Sequence, residues 1–304
     1  MKTSPNEVGP ILLTGFAGFI GPHIAGALIS EGHSVVAVVR RRTVESDAIA
    51  QRLGVGLVVG DLADADFLDG LSISPSSIVN LAANTGGKGE HFDVLYRDNV
   101  LSTENLLHFA KQRGCFKFIH ISSVSVHGRV DGGLLDRAQA SHSPTIYGKT
   151  KLMAELCLKD GGKGINIVSL RLPGVLGPTA PQHLLTTIAE KALSGAEIEM
   201  HHAESLFNNV VHVDDLSRFI VHIVGKERKS DFVAFPLASL DPIRVRDVVN
   251  LVKLRTGSAS RVCEVTSSES SFFIDDSYAR SVFGYESMRT RDAIARFVDS
   301  YHPH

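Results

Sequence analysis

Residues 11–21 read ILLTGFAGFIG, and the order of properties along them decides the fold. Ile11–Thr14 closes a short run (Pro10–Thr14) without polar alternation, which suits a strand covered on both faces. Gly15, Gly18 and Gly21 then follow at intervals of three, and the apolar spacing from Ile20 to Glu31 is helical. Each glycine has its own task in such a strand–turn–helix unit. Gly15 permits a tight turn with positive φ, Gly18 lets a ligand phosphate approach a backbone that carries no Cβ, and Gly21 lets the helix pack closely on the strand. The free N–H groups and positive dipole end of the helix then face that phosphate.

Working outward, the same alternation repeats. Short runs at Ser34–Val39, Val55–Val59, Ser77–Leu81, Phe116–Ile121 and Ile165–Leu170 lie between helical patterns at Val44–Leu53, Ala65–Leu71, Val94–Arg113 and Ile146–Lys159. Strand and helix taking turns in this way predict an α/β protein with a doubly wound parallel sheet. After Arg171 the pattern loosens: helices are predicted at Leu184–Leu193 and Val245–Leu254, and short strands at Glu197–Met200, Val210–Val213 and Asp231–Phe235. With no linker or repeat in view, residues 1–173 are assigned to the dinucleotide-binding domain, to which 207–225 returns. Residues 174–206 and 226–304 are assigned to a smaller C-terminal α/β substrate lobe.

Composition narrows the class. The 304 residues are 43% hydrophobic and 21% charged, an ordinary globular balance that excludes a disordered chain, a collagen or a coiled coil. A net charge of −2 disfavours binding to nucleic acid, whose partners are more often basic. Cys115, Cys157 and Cys263 are few, odd in number and widely spaced, which suggests neither a disulfide framework nor a zinc site and fits a reducing compartment. The opening MKTSPNEVGP has no cationic segment leading into a long apolar run, and no stretch of about 18 apolar residues occurs. The expectation is a cytoplasmic protein with neither signal peptide nor membrane contact.

Two further stretches carry chemistry. The second strand ends Val38-Val39-Arg40-Arg41-Arg42, with no carboxylate before Glu45. A carboxylate there would accept from the ribose 2′-hydroxyl of NAD, whereas a cation suits the 2′-phosphate of NADP. A guanidinium grips phosphate at two points, so Arg40 predicts an NADP preference, with NAD as the alternative. Tyr147 and Lys151 are four apart at the start of a predicted helix and share one face. A phenol with an ordinary pKa of about 10 is a poor base at neutral pH, and a neighbouring ammonium favours its ionised form. No GxSxG occurs, so a serine hydrolase is not indicated. His201-His202 does not read as a metal site, because adjacent strand residues point to opposite faces. Asp214 or Asp215 is expected to cap a helix over Leu216–Val224, and no metal is predicted.

The spacing TGxxGxxG at Thr14–Gly21 resembles the extended short-chain dehydrogenase/reductase family, also described as NAD-dependent epimerase/dehydratase proteins, and the likeness continues along nearly the whole chain. Gly60-Asp61-Leu62 is similar to the element whose aspartate contacts adenine. Asn80-Leu81-Ala82-Ala83 resembles the family's HLAA, with Asn80 where His is usual. The run from Asn99 to Leu107 resembles NVxGTxNLL, whose first Asn lies near the cofactor. Val211-His212-Val213-Asp214-Asp215 matches a family signature, and Asp276–Tyr285 resembles DxSKAxxxLGY. Ile121–Gly128 is similar to SSxxVYG with His127 in place of Tyr, and Arg171–Pro178 resembles RxxNVYGP, with Gly174 in place of the Asn that often contacts a nucleotide-sugar diphosphate. Asn208 or Asn209 is the substitute amide suggested by position.

The resemblance implies a Rossmann fold and a catalytic group of Ser123, Tyr147 and Lys151, with Ser122 and Ser125 structural and His127 a polar residue beneath the site. It implies cofactor contacts from Gly15, Phe16, Gly18, Phe19, Ile20, Gly21, Arg40, Asp61, Leu62, Leu81, Ala82, Ala83, Asn99, Tyr147, Lys151 and Pro173. Sugar dehydratases carry Asp-Glu after the catalytic hydroxyl residue, whereas Val124-Ser125 stands here. The expected activity is that of an NAD(P)-dependent oxidoreductase on a nucleotide-linked sugar, in particular a 4-keto-sugar reductase. The alternatives are a nucleotide-sugar 4-epimerase, a reductase of a non-sugar carbonyl, and a non-catalytic NADP sensor. The resemblance also implies a homodimer formed through Val94–Arg113 and Ile146–Lys159.

Overall fold

Seven strands line up in one sheet: β1 (Ile11–Thr14), β2 (Val35–Val39), β3 (Gly56–Val59), β4 (Ser77–Asn80), β5 (Lys117–Ser123), β6 (Asn166–Leu172) and β7 (Phe232–Pro236). Their order is β7-β6-β5-β4-β1-β2-β3. The computed structural model describes residues 9–87, 91–226, 231–267 and 271–302; Met1–Val8, most of the segment read for a leader, lies outside them. β1 pairs in parallel with β2 and β4, placing Ile11 opposite both Val35 and Ser77. β2 with β3, and β4 with β5, are parallel too. All four residues of β1 and of β4 are buried, the burial expected of strands covered on both faces. The strand order reverses between β1 and β4, and a crevice opens at the carboxyl ends of strands at such a switch point.

The helices on this sheet are α1 (Ile20–Ser30), α2 (Val44–Leu53), α3 (Ala65–Asp69), α4 (Phe92–Tyr96), α5 (Ser102–Gln112) and α6 (Ile146–Gly161). Their ends follow local chemistry. Thr43 and Ser46 form a capping box at the start of α2, and Gly54 ends it in the left-handed conformation at φ 73°. Asp64 accepts from the first amides of α3. Leu12, Ile78 and Phe118 of the sheet pack with Leu106, Phe109 and Leu158 of α5 and α6 in one core.

The single helix expected at Val94–Arg113 is corrected. Between α4 and α5 the backbone takes a π-helical turn over Arg97–Leu101, and the Ser102 amide reaches back to the Arg97 carbonyl. Two hydroxyls bond carbonyls of this turn: Thr103 Oγ1 donates to Asn99 O at 2.8 Å, and Ser102 Oγ donates to Asp98 O, with Arg97 O at 3.2 Å. A periodicity of 3.6 carries no mark of one inserted residue, so the pattern could not show the turn.

The chain divides into two compact units. One comprises 1–126, 144–171 and 217–234; the other comprises 127–143, 172–216 and 235–304. These limits differ from those read off the sequence at 127–143, 172–173, 207–216 and 226–234; the first of these goes with the second unit, where Leu134–Leu135 pairs with Phe273–Ile274. In that unit the helices Leu184–Ser194, Val245–Thr256 and Thr290–Ser300 pack together, and Phe235, Tyr278 and Phe283 form an aromatic cluster. The cap expected from Asp214 or Asp215 is also corrected, since the helix begins earlier, at Val213. His212 Nδ1 accepts from the Asp214 amide at 3.2 Å, while Asp215 accepts from the Met288 amide and Asp214 pairs with Arg296.

Candidate active site

The glycine turn joins β1 to α1. Gly15 has φ +69°, and the Gly18 amide closes the turn on Gly15 O at 3.1 Å. A Cβ on Gly21 would lie 2.5 Å from Phe16 Cα and 2.6 Å from Gly15 O, whereas one on Gly18 would meet nothing nearer than Gly15 O at 3.4 Å. Gly21 is thus needed for packing, and the space beside Gly18 is open. No side chain caps α1 at Phe19, which leaves its first amides to face that space. Thr14 ties the turn to the end of β4: its hydroxyl donates to Asn80 Oδ1 at 2.7 Å and accepts from the Leu81 and Ala82 amides at 3.1 and 3.0 Å. Asn80, standing where the family usually has His, donates onward to Thr103 Oγ1 at 3.2 Å and lies 3.3 Å from His120 Nδ1.

A cleft of about 880 Å³ runs past this turn, within the size range of cofactor sites. Of the residues expected at a dinucleotide, Gly15, Phe16, Gly18, Arg40, Asp61, Leu62, Leu81, Ala82 and Ala83 line it. The sequence reading missed several others on its walls, among them Thr43, Asn84, Asp98 and Ser102. An open glycine turn, an uncapped helix start and Arg40 on one wall fit a dinucleotide. Asn99 is placed differently. It is buried, its Oδ1 accepts from the Asn84 amide at 2.7 Å, and its Nδ2 donates to Asn84 O and Thr150 Oγ1. It therefore braces the cleft wall against α6. Phe19 and Ile20 open α1 with Gly21, and Pro173 lies in the second unit, just after β6; none of these four lines the cleft.

Ser123 ends β5, and Tyr147 and Lys151 lie one turn apart on α6. The Ser123 hydroxyl lies beside the Tyr147 phenol. The Ser123 hydroxyl also donates to Ser125 Oγ at 3.0 Å and accepts from the Ser125 amide at 3.1 Å. Ser122 is buried within β5, and His127 is buried with Nδ1 2.9 Å from the Gln139 carbonyl. Burial pushes the Tyr147 phenol above its ordinary value, the Ser123 hydroxyl working the other way. This corrects the expectation of a phenol drawn down by its lysine: desolvation is the largest influence, Lys151 is not among the groups that lower the phenol, and the phenol stays protonated at neutral pH. Burial also lowers the Lys151 ammonium, to about 8, against the pull of Glu155.

Beneath them lies a polar layer that the motifs did not reveal. The buried Glu155 carboxylate accepts from Ser169 Oγ at 3.0 Å and from Arg171 Nε and Nη2 at 3.1 and 2.7 Å. His120 is fully buried, and burial together with the Lys151 charge holds its imidazole neutral, far below its ordinary range. A signal was present: Tyr147, Lys151 and Glu155 repeat at intervals of four, and a histidine interrupts the apolar strand FKFIHI. Among the described residues, no three of His, Cys, Asp and Glu group as metal ligands, and no helix is long and apolar enough to cross a membrane.

A parallel sheet with a glycine turn at its switch point and a cleft beside it defines a dinucleotide-binding α/β protein. The chain belongs to the NAD dependent epimerase/dehydratase family, whose model matches residues 11–234, in agreement with the family resemblance read from the motifs. It is 26% identical over 275 residues to a 2-alkyl-3-oxoalkanoate reductase of Stenotrophomonas maltophilia, covering 87% of this chain and 80% of that one. It is 24% identical over 316 residues to a dTDP-glucose 4,6-dehydratase of Streptomyces antibioticus, covering 96% and 92%. Among solved structures it is similar to MoeE5 in complex with UDP-glucuronic acid and NAD, with a TM-score of 0.79 at 25% identity over 96% of this chain and 98% of that one.

Proposed function

We propose that this protein is an NADP-dependent carbonyl reductase whose substrate is a 4-keto sugar linked to a nucleotide. The observation that carries the reading is the Tyr147 phenol, raised above its ordinary pKa by burial and set beside the Ser123 hydroxyl: it is poised to give a proton rather than to take one. The glycine turn and the start of α1 (Gly15, Phe16, Gly18, Phe19, Ile20, Gly21) would hold the cofactor's pyrophosphate. Asp61 and Leu62 would hold its adenine, Leu81–Ala83 its length, Arg40 its 2′-phosphate and Lys151 its ribose, and Pro173 is proposed at its nicotinamide end. When bound, the cofactor supplies hydride. Tyr147 donates its proton to the carbonyl oxygen, and Ser123 donates a hydrogen bond to the same oxygen as its charge grows. Lys151, charged below its value of about 8, stabilises the phenolate left behind. Val124-Ser125 offers no acid–base pair for dehydration. Similarity to the UDP-sugar complex of MoeE5 supports a nucleotide-linked substrate.

The test is NADPH oxidation at 340 nm with a panel of 4-keto nucleotide sugars. Turnover supports the reading. Interconversion of UDP-sugars without added cofactor would replace it by epimerisation, and binding without turnover would leave a sensor. A reductase of a non-sugar carbonyl is favoured by one feature. Gly174 carries no side-chain amide, and the nearest atoms to a Cβ there are Asn209 O at 3.7 Å and the His183 ring at 3.9 Å. Of the amides suggested as substitutes, Asn208 is used, bonding both N and O of Ile274, whereas Asn209 Nδ2 donates to Phe272 O and its buried Oδ1 has no hydrogen-bond partner among the described residues. The relative from Stenotrophomonas, a 2-alkyl-3-oxoalkanoate reductase, makes 3-oxoalkanoates the substrates to include in the same assay. A homodimer through α4, α5 and α6 is proposed as well, supported by exposed Phe92, Val94, Ile146 and Leu156. Light scattering should return twice the chain mass, and a monomer at micromolar concentration would refute it.

A further inference from the structure

The arginine assigned to the 2′-phosphate already has an anion. Arg40 Nη2 lies 3.2 Å from Asp98 Oδ1, and both residues line the cleft, one just after β2 and the other on the π-helical turn. Asp98 does not depend on this partner. The same Oδ1 is 3.1 Å from Arg97 Nη1, Oδ2 accepts from Asn84 Nδ2 at 3.1 Å, and Arg97 is itself anchored on Asp61. The two ends of the pair are unequal in burial: the Asp98 side chain is 5% exposed and that of Arg40 65%. Arg40 can therefore leave and remain hydrated, while Asp98 stays neutralised behind it.

We infer that Asp98 is a specificity-determining residue: it competes with a cofactor 2′-phosphate for Arg40 and so sets how strongly NADPH is preferred over NADH. This rests on the NADP reading of the cleft. A 2′-hydroxyl carries no charge with which to draw Arg40 away, so NADH leaves the pair closed. A phosphate monoester carries about −1.5 to −2 charges and three acceptor oxygens and can take the guanidinium at two points. It must first displace a carboxylate that also repels it. The affinity for NADPH is thus held below what Arg40 alone would provide.

The test is Kd for NADPH and NADH by cofactor fluorescence, repeated calorimetrically with adenosine 2′,5′-bisphosphate against 5′-AMP, which reads the same end of the cleft without turnover. Asp98→Asn keeps the side chain's shape and removes its charge. It should tighten NADPH and the bisphosphate about threefold to fivefold, the range of a single exposed ion pair, with NADH and 5′-AMP nearly unchanged. In an Arg40→Ala background the same substitution should gain much less, because the competition it relieves is gone and only the direct repulsion remains. Since Asp98 is buried, Arg97→Gln provides a second route at an exposed position. It leaves Arg40 as the remaining guanidinium on Oδ1, so the preference for NADPH should fall, and only while Arg40 is present. If wild type prefers NADPH but Asp98→Asn leaves or lowers the ratio, the inference is overturned and the NADP reading stands. If wild type shows no preference and Asp98→Asn creates one, the inference stands and NADP as the working cofactor fails. An equal gain in the Arg40→Ala background, or an unchanged ratio in Arg97→Gln, also overturns it.

Discussion

Adding one methyl group at Gly18 and at Gly21 should produce opposite failures. At Gly21 the new carbon would sit 2.5 Å from Phe16 Cα, 2.6 Å from Gly15 O and 2.7 Å from Phe16 O. All three are backbone atoms of the turn, so relief requires α1 to move off β1 by most of an ångström. Overpacking of this kind costs about 1–3 kcal/mol, and backbone contacts on three sides place Gly21→Ala at the upper end. The helix propensity gained by alanine, about 1 kcal/mol, offsets only part of it. At Gly18 the nearest atom is Gly15 O at 3.4 Å, and its φ is not in the left-handed region, so the fold should lose nothing and could gain about 0.5 kcal/mol from a stiffer unfolded chain. The methyl would instead occupy the space through which a phosphate approaches the turn. Urea midpoints followed by circular dichroism, with NADPH titrations on the same samples, separate the two. Gly21→Ala should shift the midpoint by about 2 kcal/mol or more, and Gly18→Ala should keep its midpoint while weakening NADPH at least tenfold. A Gly18→Ala protein that binds NADPH as wild type does, or a Gly21→Ala protein of unchanged stability, would refute the division of labour between these glycines.

Tyr147→Phe should lower kcat for carbonyl reduction by roughly 10²–10⁴-fold, the usual weight of a general acid, while NADPH affinity stays within about twofold; a loss confined to KM would point to a binding role instead. Lys151 binds its proton less tightly when folded, at about 8 against an ordinary 10.5. Between those values the unfolded chain holds more protons, so this group makes stability rise with pH. Lys151→Met should accordingly be more stable than wild type at pH 7, with the margin shrinking toward pH 10. A margin independent of pH would show that Lys151 is not desolvated as described.

Much of the molecule was legible in the order of its residues. The strands β1, β2, β4 and β5 are short apolar runs because both their faces are covered, and a run of that kind announces itself locally. The glycine triplet likewise states a backbone requirement, confirmed at Gly15 by its φ of +69° and at Gly21 by the backbone atoms it touches. Helix α2, with Thr43 before it and Gly54 after it, was readable to the residue because its limits are set by its own caps. Tertiary structure decided what depends on burial and on distant partners. Tyr147 and Lys151 share a face by spacing alone, but only the packing of α6 shows that desolvation raises the phenol's pKa. Arg40 reads as a free cation until Asp98, 58 residues away in sequence, is found 3.2 Å from it. The π-helical turn that presents Asp98 leaves no trace in periodicity, since one inserted residue shifts the apolar pattern too little to mark it. Local sequence specifies backbone preference and apolar pattern, which act over a few residues. Charge state and ion pairing depend on which groups lose water together, and that is settled only when the chain has closed upon itself.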